Sequence, residues 1–536
     1  MMMLSDFYTS NNICIDRSKC IFCGICAERC IMDHIRLELA PCRRSCPIGQ
    51  NCQAYIQQIH RGQSDRALSM ILETNPLPGV LGRICHHPCQ KDCTRHSVDQ
   101  ASVAIRSLKR FVVESVERPV PPFIPYAHSE KVGIVGSGPA GLMAAWELRR
   151  RGYNVTVYDK ATTPGGNLTQ VIPEFRLPTK VVMKDIKWIE SWGVKFCLGY
   201  HIGGRMEFEA FQSRHNAILL SSGMGQPRRL NIPGEEAANI YFALPFLERI
   251  KAGERPELGS SVIVIGGGNV AIDTALTAKR IGTPSVRVVC LERPDEMSAF
   301  ADIVQEALEE GIEIVYGWGP KIFRSRGKRA LGVSCHLCLE VWKDQSFSPS
   351  FDPSVEKIFN ADSFLIAVGA QPDWDFLQSM GLNSELWPRR IADPLTLETG
   401  LSGVFAAGDM ATGAGSVVEA MASGRRAAIS IERFLQGDDL RYGRSYSGPY
   451  ITDFCISTEK VYPAPKQISP RVPPVDRLGM QEVDLGFNAE QALEESRRCL
   501  SCGAPVGYND CCWACLPCEV SCPEQALNLE VPYLLR

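Results

Sequence analysis

Apolar and polar positions alternate in two distinct ways along this chain. Through the middle, short apolar runs are followed by glycine-rich turns and then by stretches of helical period. One series is 131–135, a turn, 142–151 and 154–158; a second is 261–265, a turn, a stretch to about 281, and 286–291. A five-residue apolar run, a glycine turn and a 3.6-residue period predict strand, helix and strand, and their repetition predicts parallel sheets. Nearer the N-terminus the period is helical throughout. Tyr55, Ile56, Ile59, Ala67, Leu68 and Ile71 mark one apolar face over 54–72, Asn75-Pro76-Leu77-Pro78-Gly79 breaks it, and a last helix is predicted over 103–113. The ends carry only short strand-like runs, Ile13 and Ile15 at one and Ala526, Leu527 and Leu529 at the other. Residues 451–495 are punctuated by prolines and lead into a charged helix, 489–498.

Composition narrows the class. At 536 residues the chain exceeds what one core holds, so three or more domains are expected. A net charge of -3 offers no electrostatic footprint for nucleic acid. No run reaches the roughly 18 apolar residues of a membrane span, and residues 1–12 lack the basic and apolar blocks of a secretory signal. The informative quantity is 23 cysteines. Eleven fall between Cys14 and Cys93 and seven between Cys499 and Cys522, leaving only Cys197, Cys290, Cys335, Cys338 and Cys455 elsewhere. A long chain with cysteine-dense ends reads as a metalloprotein of a reducing, cytoplasmic compartment, not as a disulfide scaffold.

Cys20, Cys23, Cys26 and Cys30 have the spacing C-x2-C-x2-C-x3-C. Cys512, Cys515, Cys518 and Cys522 repeat it, with Pro523 after the last. This resembles the bacterial ferredoxin run, in which three closely spaced thiolates converge on one 4Fe–4S cube and the fourth often serves a second cube. Zinc would need two separated pairs. Each end supplies half of a two-cluster unit, so we expect the ends to meet and exchange fourth ligands; two independent single-cluster arms are the alternative. Cys14 and Cys511 are spare and expected to be packed thiols. Cys335 and Cys338, on a strand-like stretch, are also read as packing.

Gly136-Ser137-Gly138-Pro139-Ala140-Gly141 lies between the first predicted strand and helix, and the next strand ends in Asp159. This is a dinucleotide fingerprint: the glycines allow a tight turn and close approach of a pyrophosphate to a helix N-terminus, and the acid binds a ribose. Gly266-Gly267-Gly268-Asn269-Val270-Ala271 is a second copy, with Ala271 replacing the third glycine. Its second strand ends near Glu292, where a carboxylate favours a free ribose hydroxyl and hence NADH. The adjacent Arg293 argues the other way, toward a 2′-phosphate.

Further motifs carry a family resemblance. C-x3-C-P at Cys42 and Cys46, then Asn75-Pro76-Leu77, then Gly82-Arg83-Ile84-Cys85 with Cys89 and Cys93, then Leu108-Lys109-Arg110-Phe111 resemble the N-terminal domain of the glutamate synthase small subunit. The same domain occurs in dihydropyrimidine dehydrogenase and in transhydrogenase flavin subunits. The likeness continues to about residue 440. It implies two 4Fe–4S clusters beside one FAD. It also implies a flavin loop at Gly165-Gly166 and Ile172-Pro173-Glu174-Phe175-Arg176, and flavin contacts at Gly408-Asp409, with Gly369 completing the cofactor set. In relatives using NADPH, arginines stand where this chain has Leu291 and Glu292. Two departures stand out. The family's C-x2-C pair is missing before Cys42, while Arg498-Cys499-Leu500-Ser501-Cys502-Gly503 has that pair's context near the C-terminus. The acidic or amide ligand of the second cluster matches Lys109, which cannot ligate iron, and Cys52 stands nearby. The expected ligand sets are therefore Cys42, Cys93, Cys499 and Cys502 for one cluster and Cys46, Cys52, Cys85 and Cys89 for the other, making four clusters in all. His86, His87 and His96 are read as exposed or turn-forming.

The expected architecture is α/β. Two nested Rossmann-like domains of a disulfide-reductase-like flavoprotein (126–255 and 371–440 for FAD, 256–370 for NAD(P)) join a helical iron–sulfur domain (41–125). Ferredoxin-like segments (1–40 and 496–536) lie at the ends, with a linker strap at 441–495. No C-x2-C stands near the flavin segments, against a dithiol reductase. No nucleophile–base set or paired-carboxylate site is legible, so no catalytic side chain is named and the chemistry belongs to the cofactors. The expectation is a subunit passing electrons between NAD(P)H and a partner redox enzyme or ferredoxin in a hetero-oligomer. A glutamate synthase small subunit, a bifurcating transhydrogenase subunit and a redox sensor are the alternatives.

Overall fold

A computed structural model describes residues 12–344, 346–382, 391–508 and 512–530; Cys511 lies outside them. The chain divides into two units, one of 122–438 with 471–485, the other of the remaining segments.

In the first unit both glycine loops stand at the ends of parallel sheets. The first sheet has the order Val404–Ala406, Ala217–Leu220, Lys131–Val135, Asn154–Asp159, Lys195–Leu198, every pairing parallel. Its strand Ala217–Leu220 is buried along its length, as a strand covered on both faces must be. The second sheet runs Glu313–Val315, Ser285–Val289, Ser261–Ile265, Ser363–Ile366, Ile240–Phe242, again all parallel. Strand Ile240–Phe242 precedes residue 256, so the second domain draws on chain assigned by sequence to the first. A three-stranded antiparallel sheet, Trp318–Arg326, Arg329–Lys343 and Ser346–Asn360, follows within it. Strand Val404–Ala406 then returns to the first sheet, which makes one domain an insertion in the other. Cys335 and Cys338 are both buried. Residues three apart on a strand face opposite ways, and Cys335 packs with Phe323 and Phe364 while Cys338 bonds the Glu340 carbonyl.

In the second unit, the single helix expected over 54–72 is two helices, Cys52–His60 and Ser64–Leu72. Gly62 at φ +71° takes the left-handed turn between them, the usual glycine stop after a helix. Helices Pro78–Ile84, Pro88–Lys91 and Ile105–Ser115 follow. The two ends of the chain meet: strand Ile13–Ile15 pairs antiparallel with Leu527–Leu529, setting Ile13 opposite Leu529. Strand Ile35–Glu38 is flanked by Tyr450–Ile451 and Pro505–Gly507. Cys14 is exposed, with its thiol on Glu530, and is not the packed thiol expected; alternation along its strand buries Ile13 and turns Cys14 outward. Among the described residues, no helix is long and apolar enough to cross a membrane.

The strap expected over 441–495 is not one linker. Its segment 471–485 belongs to the dinucleotide unit, fastened by buried ions. Glu306 receives Arg176 (3.1 Å), Arg280 (2.9 Å) and Arg471, while Arg477 reaches Glu309 (3.1 Å) and Glu310 (3.4 Å). Burial raises the Glu306 carboxyl, but Arg176, Arg471, Arg280 and Arg477 outweigh burial and hold it below the ordinary range. Its contribution to stability is therefore full above the unfolded value of about 4.3 and is lost as pH falls through the lower folded value. Glu306→Gln should cost about 3–5 kcal/mol near pH 7, the usual cost of breaking a buried pair. The gap between variant and native denaturation midpoints should close below about pH 4. Equal midpoints at pH 7 would remove the network from the account.

Candidate functional site

The cysteines gather in four sets. Cys20, Cys23 and Cys26 act electrostatically on one another and each feels Cys522, from the far end of the chain. Cys512, Cys515 and Cys518 likewise gather with Cys30. The fourth thiol of each ferredoxin run is thus brought to the other run's three. The two halves share their backbone at matching offsets. Phe22 and Ala514 both take positive φ (56° and 51°), as do Asp33 and Gln525 (54° and 48°), and Leu516 adopts at φ 74° the left-handed turn that Gly24 makes at 89°. Backbone N–H groups point at sulfur in the same pattern. Phe22 donates to Cys20 and Ala514 to Cys512, both at 3.4 Å; His34 donates to Cys30 and Ala526 to Cys522, both at 3.2 Å. Such N–H···S bonds orient cluster ligands and tune their potential.

Cys42 lies with Cys499, Cys89 and Cys93, and Cys502 joins Cys499 and Cys93. Cys52 lies with Cys46 and Cys89, and Cys85 with Cys89. Cys42 and Cys52 also hydrogen-bond each other, so the two sets adjoin. Lys109, buried, feels Cys85, Cys52, Cys89 and Cys46. The C-terminal pair is delivered by Arg498, which sequence reading noted only as a neighbour of Cys499. Its guanidinium donates to Glu495 (2.7 Å), Asp99 (3.0 Å) and the carbonyls of Ala101 (2.6 Å) and Ser102 (3.1 Å). Gln57 and Thr94, absent from the sequence reading, hydrogen-bond Cys499 and Cys502; neither belongs to a spacing motif. His87 forms a left-handed turn before Pro88, as its turn-forming reading expects.

Burial pushes Cys23 up to about 11, Cys26 to about 12 and Cys499 to about 12. Protonated and crowded, these thiols gain most from a cation that holds them as thiolates. Small hollows lie at two of the sets, one lined by Cys20, Cys23, Cys26 and Cys522, the other by Cys42, Cys93, Cys499 and Cys502. Among the described residues, no three metal-ligating side chains close on a single ion. Open sets of four thiols suit a four-iron cube, and the residues fit it.

In the dinucleotide unit, Gly136 has φ +106°, and a Cβ there would strike the Ser221 carbonyl. That contact forces the turn. A Cβ on Gly138 would meet nothing within 4 Å, which leaves an open cradle at the N-terminus of helix Pro139–Arg150. Gly166 borders it, 3.1 Å from Gly138 by the same measure. Ser137, missed by the sequence reading although it sits inside the motif, links the parts: its hydroxyl takes the Gly165 N–H (3.0 Å) and donates to Asp159. Asp159 also accepts from the backbone N–H groups of Ser137 (2.8 Å) and Ala161 (2.9 Å). Gly424 lets helix Val417–Gln436 close on the Ala140 carbonyl, and Gly408 packs on Ala140. Asp409 is pushed up to about 6 by burial, with the Gly415 N–H opposing and Glu419 adding repulsion. A half-buried carboxyl next to Gly408, which packs on the first helical turn after the glycine loop, fits a ligand rich in hydroxyl donors such as FAD.

Arg176, expected at the flavin, is directed to Asp273 and Glu306 instead, because two buried carboxylates outcompete a site with no fixed anion. At the second loop, Gly266 repeats the turn with φ +137°, and Gly268 has only Ser298 Oγ near, at 3.5 Å from a built Cβ. The Glu292 carboxylate lies against Gly267, and Arg293 is exposed. Asn269 accepts the Phe300 N–H (2.9 Å) and Val270 is 40% exposed. Gly369 accepts the Arg228 N–H (3.0 Å), where strands Gln226–Pro227 and Ala370–Gln371 pair.

Comparison with known proteins agrees with this geometry. Residues 130–424 match the family model described as pyridine nucleotide-disulphide oxidoreductase, and 22–119 match dihydropyrimidine dehydrogenase domain II, 4Fe-4S cluster. The chain is 33% identical over 504 residues to the NADP(+)-dependent formate dehydrogenase subunit beta of Moorella thermoacetica, covering 86% of this chain and 70% of that one. It is 31% identical to the NADPH-Fe(3+) oxidoreductase subunit beta of Geobacter sulfurreducens, covering 86% and 75%. In fold it is similar to the solved structure of Mycobacterium tuberculosis FprA in complex with NADPH, with TM-score 0.50 and 17% identity over 58% of this chain and 85% of that one.

The exchange of fourth cysteines makes a direct prediction. Cys522→Ala should disturb the EPR signal of the cluster on the N-terminal run, and Cys30→Ala that of the C-terminal run. If each change alters only the signal of its own run, the exchange is wrong.

Proposed function

The chain belongs to the pyridine nucleotide-disulphide oxidoreductase family, joined to a 4Fe–4S domain, and from this we propose that it is the electron-transfer subunit of a hetero-oligomeric redox complex. It is an NAD(P)H-dependent flavin and iron–sulfur oxidoreductase. On this reading four clusters are held by the four cysteine sets, FAD lies on the Gly136–Gly141 loop with Asp409, and the nicotinamide cofactor lies on the Gly266–Ala271 loop. When bound, the flavin accepts a hydride as an electron pair and releases single electrons, and the clusters carry them one at a time.

The observation that carries this reading is the gathering of four thiol sets in a chain that also holds two dinucleotide loops. A self-contained enzyme has no use for the two ferredoxin-type sets. They support transfer to or from a partner that holds the substrate site, and two relatives named as beta subunits favour the same view. The cysteine load supports a reducing compartment, and we assign the protein to the cytoplasm. Residues of the chain contribute binding and orientation: helix N-termini face the phosphates, and Asp409 receives hydroxyl protons in hydrogen bonds.

Anaerobic reduction of a viologen dye by NADH, with iron and sulfide near sixteen each per chain, tests the reading. A full flavin content without activity would favour a redox sensor, and about eight of each would end the four-cluster assignment. We assign NADH as the preferred donor on the position of Glu292, although both named relatives are NADP-linked. Glu292→Ala should raise the NADPH-to-NADH ratio of kcat/KM by about tenfold or more by removing a charge that repels the 2′-phosphate. An unchanged ratio would move specificity elsewhere.

A further inference from the structure

Lys109 is 4% exposed and lies on the buried face of helix Ile105–Ser115. The groups acting on it are the sulfurs of Cys85, Cys52, Cys89 and Cys46, one whole cluster set on the reading above. Its position is held from both sides. One turn earlier, Arg106 donates to the Cys85 carbonyl (3.2 Å) and its N–H donates to Gln90 Oε1 (2.9 Å), clamping the helix to the loop that carries Cys85 and Cys89. One residue later, the Arg110 backbone meets Gly82 so closely that a Cβ there would sit 3.1 Å from the Arg110 Cα. Tyr55, from the helix that starts with Cys52, donates to the Ile105 carbonyl (3.2 Å). The helix cannot shift to take Lys109 away from the sulfurs without breaking these contacts.

No carboxylate forms an ion pair with Lys109 among the described residues. The contrast is Arg498, the buried cation that acts on Cys93: Glu495 and Asp99 already pair with it. Lys109 brings its positive charge to all four sulfurs of its set, whereas Arg106, the other cation at that set, acts on Cys85.

We infer that Lys109 sets the potential of the cluster held by Cys46, Cys52, Cys85 and Cys89, making it easier to reduce. On reduction the cluster gains one electron and one negative charge, with no bond or proton change. A fixed ammonium in a poorly screened interior stabilises that extra charge, and net charge around a cluster is a main determinant of its potential. Cys52 supplies the fourth ligand, and Lys109 offsets the charge that this ligand adds. The inference rests on the four-cluster assignment and deepens it by naming one cluster as the electron sink.

The test is an EPR-monitored redox titration of the holoprotein with Lys109→Met and Lys109→Arg. In Lys109→Met, one cluster should become at least tenfold harder to reduce, which is 59 mV for one electron, while the other clusters keep their midpoints. Lys109→Arg, which retains the charge, should restore most of the shift. A Lys109→Met protein with full iron and unmoved midpoints overturns the inference, as does an arginine variant shifted as far as the methionine one. Should the methionine variant fail to assemble, native protein carrying ζ-15N-lysine gives a second measurement. One reduced cluster should show a weak 15N coupling by electron spin echo modulation, lost in Lys109→Arg; no coupling at any cluster overturns the inference. Low iron in native protein would instead sink the four-cluster assignment, so the two failures are distinguishable.

Discussion

Arg498 is 2% exposed, and the cysteine-bearing unit depends on where its guanidinium goes. It reaches Glu495 on its own helix, Asp99, and two carbonyls before helix Ile105–Ser115. Glu495 in turn accepts the Ala104 and Gln467 N–H groups, both at 2.7 Å. A buried arginine is tolerable only when its donors are satisfied. Here the groups that satisfy it come from segments nearly 400 residues apart in sequence. Satisfying one charge therefore places Cys499 and Cys502 beside Cys42 and Cys93. The C-terminal segment 486–508 is thereby tied into the unit that carries Cys42 and Cys93.

The same economy of ligands recurs at the two ferredoxin runs. Among the described residues, the strand Ile13–Ile15 at one end pairs with Leu527–Leu529 at the other. Once they pair, the fourth cysteine of each run falls among the other's three. The thiols there resist ionisation without a cation, because burial penalises the thiolate.

The dinucleotide unit is built on a different constraint, the close approach of backbone to backbone. The turn at Gly136 and the contact of Gly424 with Ala140 leave a cradle with no side chain in it, open for a pyrophosphate. Around the inserted domain, charge does the fastening: Glu306 gathers three arginines, one of them from the segment 471–485. Arg176 is drawn into that network and away from the flavin loop that the family pattern suggested.

Local chemistry was legible in the sequence because it depends on near neighbours. C-x2-C-x2-C-x3-C, the two glycine loops, the acids at Asp159 and Glu292, and the strand–helix order all follow from spacing and period. The sequence also indicated which cysteines were available for four sets. It did not reveal the break at Gly62, whose glycine interrupts an otherwise unbroken apolar face, nor the outward turn of Cys14. It was silent on Ser137, Gln57 and Thr94 as partners, since a hydroxyl or amide shows its role only beside the group it bonds. Tertiary structure decided the long-range matters: it chose paired ends over independent arms, divided the strap, turned Arg176 to Glu306, and clamped the helix that holds Lys109 near four sulfurs. Those outcomes depend on which buried charges and unpaired strand edges find partners, and partners hundreds of residues away leave no period in a sequence.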